Sequence, residues 1–282
     1  MNALGKLFRK LPSFRGKQRL ASLLLGKKRL LAKEVEIVAK NGIRYILPNL
    51  VETVGFELFV NGIYEETTLQ LIQKQLRTGS VWLDIGANIG SVCIPVAKAS
   101  PDIPVLAVEA SPKMVDYLEK NISMNQLTNV MLVHKAMSDV DAQSVAFYSP
   151  EEKYGKGSFS NAYNGHMDLV ETIRLDTLLN EKGLDTVCFI KIDVEGYEYG
   201  VFKGASKLLT RPDAPDILFE FMDWAEAAVA GQSVGDAQRL LLTYGYTLYC
   251  FDQRGTMVPL DDIVTADYQL LYASKKQQIC SR

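Results

Sequence analysis

Seven short, mostly apolar segments recur between residues 81 and 273, at 81–85, 105–108, 130–133, 187–192, 217–221, 247–251 and 268–273. Segments this short and apolar suit parallel strands that helices cover on both faces. Helical spacing of apolar residues fills intervals at 91–99, 112–125, 198–209 and 225–244. Strand alternating with helix restricts the chain to a doubly wound α/β sheet. No unbroken apolar run exceeds four residues, so no membrane-spanning helix is encoded. Upstream, 34–47 reads as a short hairpin around Asn41-Gly42, and 65–76 as a helix with Leu69, Ile72 and Leu76 on one face. The stretch 139–179 breaks the rhythm. Strand-like 144–148 and 170–175 flank a polar loop at 151–167, which predicts an inserted hairpin over one edge of the sheet.

The 282 residues suit one large domain with an appendage. Net charge is −2, but residues 1–33 hold ten Lys or Arg and no acid. The remainder therefore has 31 − 10 = 21 basic against 33 acidic residues, a net of −12. This predicts a basic amphipathic arm (1–33) on an acidic domain (34–282, core 62–274). Leu4, Leu7, Phe8 and Leu11 recur at helical spacing among the cations, and Leu20, Leu23, Leu24, Leu30 and Leu31 do so again. Lys and Arg interrupt the arm too often for a secretory leader, which needs about 7–15 apolar residues together. An arm of this kind packs on its own domain, lies on an anionic membrane surface, or meets nucleic acid phosphates. Few aromatics interleave with the charges, so no nucleic acid partner is expected. Cys93, Cys188, Cys250 and Cys280 lie 95, 62 and 30 positions apart, which fits neither a metal knuckle nor a redox pair. Reduced structural thiols in a cytoplasmic protein, possible membrane contact being peripheral, are the expectation.

The segment Val81-Trp82-Leu83-Asp84-Ile85-Gly86-Ala87-Asn88-Ile89-Gly90 carries the most chemistry. A strand ends in an acid, turns on glycine and enters a helix, whose free amides favour a polar ligand. The spacing D-x-G-x-x-x-G differs from the dinucleotide fingerprint G-x-G-x-x-G. Asp84 would repel a pyrophosphate there and suits an ammonium or hydroxyl instead. Glu109 ends the next strand, 19 residues after Gly90, where a carboxylate can accept both hydrogen bonds of a ribose diol. Together the two acids describe a pocket for adenosine with an amino-acid tail, namely S-adenosyl-L-methionine. In the second cluster, Lys191-Ile192-Asp193-Val194-Glu195-Gly196-Tyr197-Glu198, Lys191 and Asp193 share one face of an apolar strand. A charge buried there requires a partner, so Lys191 is expected to meet Asp193, Asp84 or Glu220. Asp193 and Glu220 reach the carboxyl rim of the sheet, where ligands bind. Glu195 and Glu198 lie in the turn and first helical turn, where acids also complement the helix terminus. The carboxylates alone do not assure a metal site, and none is expected. His134 reads as a sheet residue and His166 as a surface residue.

The segments Asp84–Gly90, Glu109-Ala110-Ser111-Pro112, Leu175-Asp176-Thr177-Leu178 and Lys191–Glu198 resemble the FkbM family of S-adenosylmethionine-dependent methyltransferases. The resemblance spans roughly 62–220. It implies a class I methyltransferase (Rossmann-like) fold: a seven-stranded, mostly parallel sheet, helices on both faces, and an antiparallel last strand. It also implies methyl transfer, usually to a hydroxyl of a sugar, lipid or polyketide-like product. Carried over by position, Asp84, Gly86, Ala87, Asn88 and Gly90 would hold the methionine end. Glu109 would hold the ribose, Ala110 and Ser111 would flank the adenine, and Asp193 would face the methyl group.

The function this predicts is O-methylation of a carbohydrate, glycolipid or other small polyhydroxylated metabolite. Asp193 with Lys191, Glu195 and Glu220 are the candidate catalytic residues, orienting or deprotonating a hydroxyl. Gly62-Ile63-Tyr64-Glu65 is placed to fold over the cofactor, with Glu65 as its contact. The loop 151–167, with Tyr154 and Tyr163, is the candidate for acceptor recognition. The rival readings are N-methylation of a small molecule, a nicotinamide-dependent oxidoreductase, and a methyltransferase-fold binding module without activity.

Overall fold

The computed structural model describes residues 2–150, 152–159, 165–252 and 254–276; Tyr163 and Cys280 lie outside the described residues. Helices α1 (Asn2–Lys10), α2 (Lys17–Leu25) and α3 (Lys27–Leu30) form the arm. An antiparallel pair follows, β1 (Lys33–Val38) with β2 (Arg44–Asn49). The chain reverses between them through a 3-10 turn at Lys40–Gly42, where Asn41 and Gly42 take φ of 56° and 68°. Helices α4 (Thr53–Asn61) and α5 (Glu66–Gln75) come next. Gly62 closes α4 and Glu65 opens α5, so the Gly62–Glu65 segment is a junction between helices.

From residue 81 the chain runs β3 (Val81–Ile85), α6 (Cys93–Ala99), β4 (Val105–Glu109), α7 (Pro112–Met124) and β5 (Val130–His134). An excursion of β6 (Ala136–Met137), β7 (Ser144–Ser149), β8 (His166–Ile173) and α8 (Leu175–Lys182) comes next. The chain then returns through β9 (Val187–Ile192), α9 (Glu198–Gly204), α10 (Ser206–Leu209) and β10 (Asp216–Met222). It ends with α11 (Asp223–Ala227), α12 (Asp236–Thr243), β11 (Thr247–Phe251), β12 (Met257–Pro259) and β13 (Tyr268–Ser274).

The central sheet has the order β12-β11-β13-β10-β9-β3-β4-β5. Neighbours from β10 to β5 are parallel, and β13 is antiparallel to both β10 and β11. The seven strands and the antiparallel last strand are therefore present, with the short β12 added at one edge. Period-two alternation sorts each strand between two cores. Trp82, Ala107 and Phe189 face the side covered by α4, α6 and α7, whereas Leu83, Leu106 and Ile190 face α8, α9 and α12. The inserted hairpin is β7 paired with β8, and β6 joins it to form a separate three-stranded sheet beside β5.

Three differences from the periodicity reading have local causes. The segment 225–244 is two helices, α11 and α12, with Gly231 and Gly235 at φ of 77° and 86° between them. The strand expected at 170–175 stops at Ile173, and Leu175 opens α8. Helix α4 escapes an amphipathic search because Val54, Phe56, Leu58, Phe59 and Val60 are all buried, leaving little polar stripe to detect.

The arm packs on the body through α4. Phe8, Ala21 and Leu25 share the core that contains Phe56 and Phe59. Arg9 donates to the Phe59 carbonyl at 2.7 Å; Arg29 donates to Leu50 at 2.7 Å and stacks 3.7 Å from the Phe56 ring centre. Among the described residues no helix is long and apolar enough to cross a membrane.

Candidate active site

The turn after β3 is built by close approach of two strand ends. Gly86 (φ 81°) and Ala87 both donate to the Val108 carbonyl, while Asp193 donates to the Ile85 carbonyl at 3.0 Å. A Cβ on Gly86 would lie 1.8 Å from the Asp193 carbonyl oxygen, so only glycine permits this approach. Asn88 (φ 52°) turns its amide toward Glu109 and donates to Oε2 at 2.7 Å. Ser111 donates to Glu109 Oε1 at 2.8 Å and caps α7 through its hydroxyl. Burial raises the Glu109 carboxyl above its ordinary range, against the amides of Ser111, Asn88 and Ala110. Each carboxylate oxygen has room for a second donor, so Glu109 is fixed in place and still able to accept a diol.

These groups border a narrow cleft with about 60 Å³ of enclosed space. Of the residues expected at a cofactor, Gly86, Asn88, Glu109, Ala110 and Ser111 line it. Asp84, Ala87, Gly90 and Glu65 do not. A Cβ on Gly90 would meet Ile94 at 2.6 Å and Leu118 at 2.7 Å, so that glycine serves helix packing. Asp84 is 1% exposed, 3.8 Å from the Lys191 ammonium, and neither of its oxygens has a hydrogen bond. Burial pushes its carboxyl up to about 7 although Lys191 opposes this.

The second cluster meets the cleft at the carboxyl rim. Lys191 is buried and donates to Asp193 Oδ2 at 3.3 Å. Burial works against its charge, yet Asp193 and Asp84 together push the ammonium well up. Asp193 and Glu195 line the cleft. Glu195 is buried at φ 54° and pairs with Lys156 of the inserted loop at 3.0 Å; burial and Asp193 raise it to about 7. Glu220 lies one position beyond the Phe219–Ile192 pair of β10 and β9, beside Asp193. It accepts from the Tyr268 hydroxyl at 3.2 Å, and burial with Asp193 holds its carboxyl well above the ordinary range. Glu65 acts electrostatically on Lys191, Glu220 and Tyr268, which places it with this acidic rim and off the cleft wall. Glu198 is buried and accepts from Val194 and Gly196 at 3.2 and 3.4 Å, tying down the turn that carries Asp193 and Glu195. Among the described residues, no group of three or more His, Cys, Asp or Glu is arranged to hold a metal ion.

The inserted loop lies over the cleft. Gly155 passes 3.5 Å from the Asn88 side chain, measured from a Cβ built on it, and Tyr154 packs against Gly55, which lacks the side chain that would strike its hydroxyl. Tyr154 is thus a buried part of the cleft wall. Met137, Phe147 and Phe159 also line the cleft, with Phe159 edge-on to Phe147 at 5.9 Å and to Tyr197 at 4.5 Å. Sequence reasoning missed these residues; the alternation in 144–148 is a local signal for Phe147 alone. His134 lies 3.1 Å from the Ala110 carbonyl, and His166 is exposed beside Asp168 at 3.4 Å.

A family model described as Methyltransferase FkbM domain matches residues 84–248. Among curated relatives, the hexuronic acid methyltransferase AglP of Haloferax volcanii is 28% identical over 146 residues, covering 51% of this chain and 58% of that protein. The 2-O-methyltransferase NoeI of Sinorhizobium fredii is 26% identical over 190 residues, covering 60% and 77%. The ribosomal RNA small subunit methyltransferase G of Leuconostoc mesenteroides is 27% identical over 85 residues, covering 30% and 36%. The chain thus spans about a third of the last and about three fifths of the first. The family match takes in more than half of the chain, the turn after β3 and the Lys191–Glu198 cluster included, and the chain belongs to the FkbM methyltransferase family.

Proposed function

We propose that this protein is an S-adenosylmethionine-dependent methyltransferase that methylates a hydroxyl oxygen of a carbohydrate, glycolipid or other small polyhydroxylated compound. The residues fit the cofactor. Glu109 is buried with acceptor capacity left for vicinal hydroxyls, and Asp84 is a buried carboxylate without a hydrogen bond behind a glycine turn. Glu109, Ala110 and Ser111 would hold the nucleoside, and Gly86 and Asn88 the amino-acid end. S-Adenosylmethionine, when bound, supplies a methyl group already activated on a sulfonium.

The chain's own part is to align the acceptor and take its proton. Lys191 fixes Asp193 through Oδ2, which leaves Oδ1 to accept the hydroxyl proton. Glu195, tied to Lys156, holds the inserted loop over the cleft and keeps water out. Glu220 and Tyr268, hydrogen-bonded to each other beside Asp193, add polar groups to the rim suited to further hydroxyls. The observation that carries the reading is the Asp193 carboxylate lining the same cleft as Glu109. The carboxylate-rich rim, the hexuronic acid in the name of one relative and the 2-O-methyl transfer in the name of another favour oxygen on a polyhydroxylated acceptor.

The test is transfer of a labelled methyl group to a panel of sugars, uronic acids and glycolipids. Label should enter as a methyl ether. Asp193→Asn should lower kcat about 100-fold with cofactor affinity unchanged, the usual scale for losing a general base. Full activity of that variant removes Asp193 from the proposed role, and label found only on amines overturns the hydroxyl reading.

A further inference from the structure

On α2 the buried positions are Lys17, Ala21 and Leu25, one every four residues. Leu20, Leu23 and Leu24 therefore point outward at i, i+3 and i+4, the reverse of a helix that faces water. Leu30 and Leu31 continue the exposed set, with Leu23 and Leu31 each 78% exposed. Of the fifteen exposed large apolar side chains among the described residues, eight lie between residues 7 and 31. That concentration marks an interaction surface, unlike apolar side chains scattered singly. The same segment holds eight cations and no acid. Among the described residues, no ion pair within 4.0 Å joins an arm cation to an acid. Where α1 meets α2, Arg15, Lys17, Arg19 and Asn61 border a basic pocket.

We propose that the arm is a docking face for an anionic lipid bilayer. Its outward leucines enter the headgroup boundary, and Lys6, Lys10, Arg15, Arg19, Lys27 and Lys28 meet lipid phosphates. The inward side of the arm is already committed to the body by Phe8, Arg9 and Arg29, so the face is presented on a fixed support. Leucines interleaved with cations suit lipid better than RNA, which would leave the leucines uncovered. A second copy pairing arm to arm would bring two faces of cations together with no acid in residues 1–33 to offset them, whereas an anionic bilayer complements that charge.

The test is flotation of the full chain with phosphatidylcholine vesicles, with and without about a third phosphatidylglycerol. Binding should require the anionic lipid and weaken with salt. It should fall about tenfold or more in Leu20→Ser/Leu23→Ser/Leu24→Ser and in Lys27→Glu/Lys28→Glu, both of which spare the inward residues. Circular dichroism melting confirms that each variant is folded. Absence of binding to anionic vesicles overturns the proposal, as does equal binding by both variants. A dimer seen by light scattering that the leucine variant abolishes, without vesicle binding, assigns the face to a second copy. Displacement from vesicles by RNA with the leucine variant unaffected assigns it to nucleic acid.

Discussion

Gly86 is the residue on which the site's geometry rests, since the ends of β3 and β9 pass within reach only of a hydrogen there. Gly86→Ala places a methyl 1.8 Å from a backbone oxygen at φ 81° and should cost about 3 kcal/mol or more by urea denaturation. Gly79 has φ 80° with nothing within 4 Å of its would-be Cβ, so Gly79→Ala should cost only about 1 kcal/mol. Equal losses at the two positions would show that φ alone, and no strand contact, sets the requirement. Glu198 makes a second residue-scale case. Burial, against the Val194 amide, raises its carboxyl to about 8, whereas an unfolded chain releases that proton near about 4.3. The folded state then binds more protons between those values, so the stabilising contribution is complete below the lower one and is lost as pH rises through the upper. Glu198→Gln keeps an acceptor for the two amides and cannot ionise. Its Tm should therefore fall less than that of the unaltered protein between about pH 5 and about pH 8. Parallel curves would mean that Glu198 does not titrate in this window. Gly86, Asn88 and Glu109 are legible in sequence because a strand–turn–helix places them by spacing alone. Phe147 and Phe159 are not, since only tertiary packing of the inserted hairpin brings them to the cleft.

Among the elements, the strands were the most legible, because burial on both faces leaves an apolar run that local sequence displays. Helix α4 was illegible for the same reason carried further: it is apolar on nearly every side and has no stripe. The 225–244 pattern concealed a break, since Gly231 and Gly235 interrupt the backbone without disturbing the apolar spacing. The arm's amphipathic pattern was visible, but not which face turns inward, and cations do much of the inward work. Arg29 is the clearest instance, joining α3 to the Leu50 carbonyl and the Phe56 ring. Arg29→Ala should loosen the arm by about 2 kcal/mol, the low end of a charged hydrogen bond plus a part-exposed cation–π contact. Limited trypsin digestion should then cut at Lys27 or Lys28 several-fold faster, while the body's melting changes little. An unchanged cleavage rate would mean that the apolar contacts of Phe8, Ala21 and Leu25 hold the arm unaided.

For the whole molecule, the strand order puts β3, β4, β9 and β10 side by side, so their carboxyl ends bring Glu109, Asp193 and Glu220 to one rim from positions over a hundred residues apart. The central claim is that the cleft beside Glu109 holds S-adenosylmethionine. The most direct test is calorimetric titration of the purified protein with S-adenosylmethionine, S-adenosylhomocysteine and NAD. Binding of the first two at micromolar concentration is predicted, with NAD inert and Glu109→Ala weakened by about 100-fold, the loss of a buried charged acceptor for two hydroxyls. Binding of NAD alone, or of none of the three, would contradict the account.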